Sequence, residues 1–232
     1  VNGGSGFEKR ILHSITAWCG EARNFRAAAP SQVITYLSSH DDMTLWDKLV
    51  VTMDSQQNFD DPAPQVMRAS RLAAAIYMTC QGRLFLLSGE EFGRTKQGED
   101  NTHKAPIELN RLDWERAWKN RELVEYYQGL IALRKQLPAL CDKTEQAGRR
   151  LLHSQVPAAR CVTALLENDG RWSKLLLAYN ASSHPVELEL EEGEWGLLAN
   201  DNNKYKRGNQ CGLYMENRIF AVRNAGRRAA GW

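Results

Sequence analysis

An imidazole and two carboxyl groups stand side by side at His40, Asp41 and Asp42, directly after the run Val33-Ile34-Thr35-Tyr36-Leu37-Ser38-Ser39. A carboxylate held rigidly can stabilise positive charge that develops during a reaction, because it is in place before the reaction begins. A neutral imidazole beside it can donate a hydrogen bond to a substrate hydroxyl or accept one. Successive side chains on a strand point to opposite faces, so both groups reach one site only where the chain leaves the sheet. The two serines and the polar residues that follow make such an exit plausible. The plain alternative is a core strand that ends in incidental polar residues.

The element that must position this pair is the strand itself. Val, Ile, Thr and Tyr suit a pleated surface. The run does not alternate apolar with polar, which predicts a strand buried on both faces, as in parallel sheets covered by helices. A second short apolar run, Leu84-Phe85-Leu86-Leu87, also ends in small polar residues and acids, Ser88-Gly89-Glu90-Glu91. Between the two runs, Asp61 and Pro62 read as a helix start, Val66, Ala69, Ala73, Ile76 and Cys80 form one apolar stripe, and Gly82 reads as a stop. Strand, helix, strand in that order predicts a βαβ unit with parallel strands. In barrels built this way, chemistry sits at the carboxyl ends of the strands.

Other elements follow the same logic. Phe7, Ile11, Ile15 and Trp18 have helical spacing, and residues 43–49 suggest a short helix or turn. Residues 93–118 read as one long polar loop, of the kind that usually binds or covers a ligand. Leu123, Tyr126, Leu130, Leu133 and Leu137 predict a helix stopped by Pro138. From about Arg149 onward strand-like runs alternate with turns, with a hairpin signal at Asn168-Asp169-Gly170, and the region predicts a small antiparallel sandwich. The expected fold class is therefore α/β plus all-β, with one domain over residues 1–145 and a second over 146–232.

Composition narrows the function classes. The 232 residues suffice for one large or two ordinary domains of roughly 150 residues each. A net charge of +2 gives no electrostatic footprint for nucleic acid or a membrane surface. No apolar run approaches the roughly 20 residues that would span a bilayer. Five cysteines, odd in number and without a Cys-x-x-Cys pair, argue against a disulfide framework or a zinc site. Cys19 and Cys80 read as small core residues, so a reducing compartment, cytoplasmic rather than secreted, is favoured. No metal or cofactor is expected. Val1-Asn2-Gly3-Gly4-Ser5-Gly6 reads as a linker or a cut end, and the chain is expected to be a piece of a longer protein.

Several ordered motifs carry a resemblance. The segment from Tyr36 to Leu49, including Ser38-Ser39-His40-Asp41-Asp42-Met43-Thr44-Leu45-Trp46-Asp47, resembles the seventh-strand region of type I pullulanases, debranching enzymes of the α-amylase superfamily. Residues 82–94 resemble the eighth strand and its Gly-x-Glu-Phe exit. Asn110-Arg111-Leu112-Asp113-Trp114 resembles the Asn-x-x-Asp-Trp segment before the last barrel helix, and residues 129–135 resemble that helix. The all-β tail resembles the family's C-terminal sandwich. The likeness runs from about Ser14 to the end, weakening after Asn203. Asp42 stands where Asn is usual, and Leu84 where Pro is common.

The resemblance implies the C-terminal part of a (β/α)8 barrel, about two βα units, followed by the sandwich. It implies hydrolysis of α-1,6-glucosidic branch points in pullulan, starch or glycogen dextrins with retention of configuration. Asp41 would be the transition-state stabiliser; His40 and Asp42 would bind substrate, with Arg94 and Asn101 near the sugar groove. The partners implied are an α-glucan and the upstream barrel portion of the same protein. Retaining glycosidases need two carboxyl groups about 5 Å apart. The family takes them from the fourth and fifth barrel strands, so the isolated chain is expected to be inactive. An isoamylase, branching or α-1,4-acting enzyme, or a non-catalytic glucan-binding or structural module, are the alternatives. Glu90 and Glu91 are expected to be structural, Asp47 to make a helix or loop contact, Trp114 and Trp118 to be buried, His13, His153 and His184 to have surface or packing roles, and Arg227-Arg228 to be solvated.

Overall fold

Helix α1 (Glu8–Ile15) opens the described chain. The computed structural model describes residues 2, 4–20, 25–193, 195–200, 213–215 and 219–224. Cys211 and Arg227-Arg228 lie outside them. The apolar stripe of α1 stops at Ile15; Ala17 and Trp18 have positive φ and turn the chain away.

The two runs singled out by sequence form strands β1 (Ile34–Thr35) and β2 (Arg83–Leu84), and they pair in parallel, Ile34 opposite Arg83 and Thr35 opposite Leu84. Between them lie α2 (Leu45–Met53) and α3 (Pro64–Met78). Thr44 caps α2, its hydroxyl accepting from the Asp47 N–H. The expected burial of the first strand on both faces is corrected. Leu37, Leu84 and Leu86 pack on the helices. Ile34, Tyr36 and Phe85 face solvent, Ile34 with 61% of its surface exposed. Helices cover one side of this two-stranded ladder, and in this chain nothing described covers the other.

The α3 start also differs from expectation. Asp61 does not cap it; Ala63 stands at the N-cap and Pro64 at the first position. A residue before proline is driven out of the α region, so Ala63 stays extended and the helix begins at the second proline rather than the first. Gly82 has φ +85° but closes the link into β2 instead of ending the helix, and a Cβ there would meet Pro30 at 2.6 Å.

Residues 93–118 are not one loop. They contain two short helices, α4 (Ile107–Asn110) and α5 (Trp114–Lys119), the second capped by Asp113. Helix α6 (Arg121–Lys135) buries Leu123, Tyr126, Tyr127 and Leu130. Pro138 starts a further turn, α7 (Pro138–Cys141), where its missing N–H costs nothing. Trp114 and Trp118 are exposed, at 70% and 74%, against the expectation of burial. One turn apart on α5, they share one exposed face. Phe92 supports the first and Arg121 lies over the second.

The second part of the chain is antiparallel. Strands β3 (Leu151–Ala158), β4 (Cys161–Glu167), β5 (Trp172–Asn180), β7 (Trp195–Asn200) and β9 (Ile219–Asn224) form one sheet in the order β3-β4-β5-β9-β7. Strands β6 (Val186–Leu188) and β8 (Leu213–Met215) form a separate two-stranded ladder. The hairpin signal at Asn168 joins β4 to β5 as expected. Strand alternation divides two cores. Val162, Ala164, Leu166, Leu175, Leu177 and Tyr179 join the same apolar cluster as α2, α3 and α6. On the opposite face Cys161, Leu165, Leu176 and Ala178 meet Leu188 and Trp195. No helix among the described residues is long and apolar enough to cross a membrane.

One guanidinium fastens the junctions. Arg134 on α6 donates to the carbonyls of Met78 (2.9 Å), Cys80 (2.6 Å), Gly82 (2.7 Å) and Leu140 (2.7 Å). It thereby satisfies the frayed end of α3, the link into β2 and the end of α7 together. Burial pulls its pKa below the ordinary value, and that charge is retained against the desolvation. Replacing Arg134 with Met keeps the length and takes a donor from four carbonyls, of which that of Leu140 keeps the Gly82 N–H at 3.2 Å. The expected loss is about 3 kcal/mol, read by urea unfolding, with Arg134→Lys recovering only part, because an ammonium lacks the planar fork.

Candidate active site

The chain leaves β1 through Ser38 and Ser39, and two buried carboxyl groups fix that exit. Glu90 stands in the turn after β2. Its carboxylate accepts from the Ser38 hydroxyl at 2.7 Å and from the Tyr127 hydroxyl on α6 at 3.1 Å. Burial raises its pKa, while the hydrogen bonds from Ser38 and Tyr127 oppose the shift. Glu91 turns the other way and accepts from the Gly89 N–H at 2.9 Å. The two glutamates are structural, as expected, and do not aim at one point.

Asp47 is the second. It lies in the first turn of α2, with no exposed surface. It accepts from the Thr95 hydroxyl and, at 2.8 Å, from the Lys96 N–H. The loop after β2 is thus held by the helix after β1. Beside it, Trp46 donates to the Phe59 carbonyl, and Arg116 lies over the Trp46 ring while donating to the carbonyls of Phe59 and Gly93. Gly93 has φ +69°, and a Cβ there would meet the Trp46 ring at 2.6 Å, so no other residue fits.

On this frame His40 and Asp41 come together. Nε2 of His40 is 3.5 Å from a carboxylate oxygen of Asp41, and both side chains are 86% exposed. The strand exit therefore does turn neighbouring side chains to one side. Asp42 adopts φ +68°, a conformation that Asn and Asp tolerate better than most residues, and its carboxylate lies 3.8 Å from Lys48. Asp in place of Asn is compatible with this backbone.

The remaining candidates lie on the segment after β2, in different settings, and neither touches His40 or Asp41. Arg94 is half-buried; it donates to the Ser88 carbonyl at 3.2 Å and to the Asn110 carbonyl, and burial lowers its pKa. Asn101 is exposed and pairs with His103 at 2.6 Å. Lys96, which sequence reasoning noted only as a loop residue, is 4% exposed, and its ammonium donates to the His40 carbonyl at 3.2 Å. Burial and the Arg94 charge lower its pKa, against the pull of Asp47 and Asp41. Nothing in the sequence distinguishes it from a solvated lysine. Among the described residues no group of three or more His, Cys, Asp or Glu side chains could hold a metal ion.

No protein-family model matches the chain. Pullulanase of Bacillus subtilis strain 168 is 34% identical over 184 residues, 78% of this chain and 25% of its own length. The glycogen debranching enzyme of Serratia proteamaculans is 30% identical over 211 residues, 76% of this chain and 31% of its own length. Type I pullulanase from Bacillus subtilis, crystallised with maltose, superposes with a TM-score of 0.85 over 97% of this chain, at 26% identity. The chain is a relative of the type I pullulanases. A second pullulanase, from Paenibacillus barengoltzii in complex with maltohexaose and α-cyclodextrin, gives a TM-score of 0.83 at 31% identity. It covers 96% of this chain and 35% of its own. This pullulanase relative thus spans about a quarter to a third of the length of the proteins it matches.

The buried Glu90 gives the chain a pH-dependent stability of defined sign. Its folded-state pKa is raised above the ordinary 4.5, so the unfolded chain releases the proton first. Its contribution is fully present below 4.5 and is lost as pH rises through the folded value. Glu90→Gln cannot ionise. Urea unfolding of both proteins at acid and neutral pH is expected to show the parent losing stability relative to Glu90→Gln as pH rises; a constant difference contradicts the assignment.

Proposed function

We propose that the chain forms part of a retaining glycoside hydrolase acting on α-1,6-glucosidic branch points of pullulan, starch or glycogen dextrins. The observation that carries this reading is the exposed His40–Asp41 pair at the carboxyl end of a parallel strand. It is supported by the likeness to pullulanases crystallised with malto-oligosaccharides. In finer terms, we read β1, α2–α3, β2 and α6 as the last two βα units of a (β/α)8 barrel, and residues 146–232 as a β-sandwich domain.

The chemistry follows from the groups available. Asp41 would accept hydrogen bonds from the hydroxyls of the glucose at the cleaved bond, and its negative charge would favour the oxocarbenium-like transition state over the neutral ground state. His40 would hydrogen-bond the same sugar and, through its contact with Asp41, fix the carboxylate. Asp42, Arg94 and Asn101 would bind neighbouring glucose units. The nucleophile and the acid/base would come from barrel strands preceding β1, which act with this chain as one catalytic unit. The preference for α-1,6 bonds over α-1,4 bonds belongs to this same proposal.

In the full-length protein, Asp41→Asn is expected to lower kcat/KM on pullulan by about 10²–10³-fold, and His40→Ala by about tenfold or more. Melting temperatures should stay close to the parent, because both side chains stand in solvent. Product linkage analysis distinguishes debranching from α-1,4 cleavage. The isolated 232-residue chain is expected to show no turnover above background on pullulan, and measurable turnover would overturn the two-part division of the chemistry.

A further inference from the structure

A buried lysine is uncommon, since its flexible stem normally carries the ammonium to water. Lys96 does the reverse: its head turns inward beneath the strand exit and meets the His40 carbonyl at 3.2 Å. A carbonyl at the end of an exposed turn is readily served by water, so stability alone gives little reason to desolvate a cation there. The side chains of His40 and Asp41, by contrast, are 86% exposed and have little packing to hold them. Their precision can be no better than that of the backbone that carries them.

We propose that Lys96 is a positioning residue for this site, holding the His40 carbonyl so that His40 and Asp41 meet the glucose at the cleaved bond in one fixed orientation. This rests on the reading of the site as a glucosidase centre. The contacts form a closed circuit. The chain runs from His40 through Asp42 into α2, where Asp47 binds the Thr95 hydroxyl and the Lys96 N–H. Lys96 then returns to His40. The loop after β2 therefore supplies a rigid brace to the loop after β1. The charged groups facing the ammonium are Asp41 from the strand exit, Asp47 from α2 and Arg94 from its own loop; burial and the guanidinium lower its pKa, and the two carboxylates oppose that shift. Loosening such a brace displaces the reacting groups by a fraction of an ångström to an ångström, enough to cost up to about 100-fold in rate with little change in ground-state binding.

The test is steady-state kinetics on pullulan with the full-length protein. Lys96→Met, which keeps the stem and removes the donor, is expected to lower kcat about 30- to 100-fold with KM within about twofold. Lys96→Arg keeps the charge but replaces a compact donor with a planar fork, and is expected to lower kcat about three- to tenfold at an unchanged melting temperature. If Lys96→Met does not fold, Lys96→Arg decides alone. Parent-like kcat in Lys96→Arg, or losses no greater than the loss of folded protein, overturns the proposal. Asp41→Asn is run in parallel. If it too is fully active, the glucosidase reading has failed; if it is inactive while the Lys96 variants are not, only the brace has.

Discussion

Four main-chain carbonyls that secondary structure leaves without partners converge on one side chain, and the packing of the first half of the chain depends on that convergence. Helices expose unpaired carbonyls at their ends, and buried ones must find donors. Here α3 ends, the chain reverses, and β2 begins within five residues, while α7 ends beside them. Arg134 answers all of these needs from α6. Gln81 extends the arrangement by donating to the carbonyls of Ala139 and Ala147, which ties the same junction to the start of the antiparallel region. The position of β2, and with it everything on the loop that follows, is inherited from this knot.

The candidate site uses a second tier of the same strategy. Its working side chains are solvated, whereas the groups that aim them are buried. Glu90 grips Ser38, and Asp47 grips the backbone around Lys96. A polar group buried in such a place needs hydrogen-bond partners, and both carboxyl groups have them. The arrangement separates the buried, hydrogen-bonded frame of the candidate site from the solvated His40 and Asp41.

Much of this was legible in the sequence, for identifiable reasons. Short apolar runs ending in small polar residues marked both parallel strands. An alanine-rich 3.6-residue stripe marked α3, and Asn168-Asp169-Gly170 marked the hairpin. His40 and Asp41 could be singled out because a strand precedes them. What was not legible depended on tertiary partners. Periodicity cannot show which face of a strand lacks a neighbour, so Ile34 and Tyr36 were read as buried. Trp114 and Trp118 carry an apolar signature whether or not anything covers them. Asp61-Pro62 and Ala63-Pro64 are both credible helix starts, and steric exclusion before the second proline chose between them. Lys96 has no sequence signal at all, because its role comes from a carbonyl 56 positions away in the chain.

The uncovered side of the β1–β2 ladder has a consequence for handling the chain by itself. Among the described residues each strand pairs only with the other, so the outer edges carry N–H and C=O groups available to a further strand. Beside them lie Ile34, Tyr36 and Phe85, the two rings in edge-to-face contact. An apolar strip bordered by free ladder positions templates β-addition, and like molecules offer the most abundant supply of strands at high concentration. The chain in isolation is therefore expected to self-associate through this edge, and its near-neutral charge offers little repulsion against that.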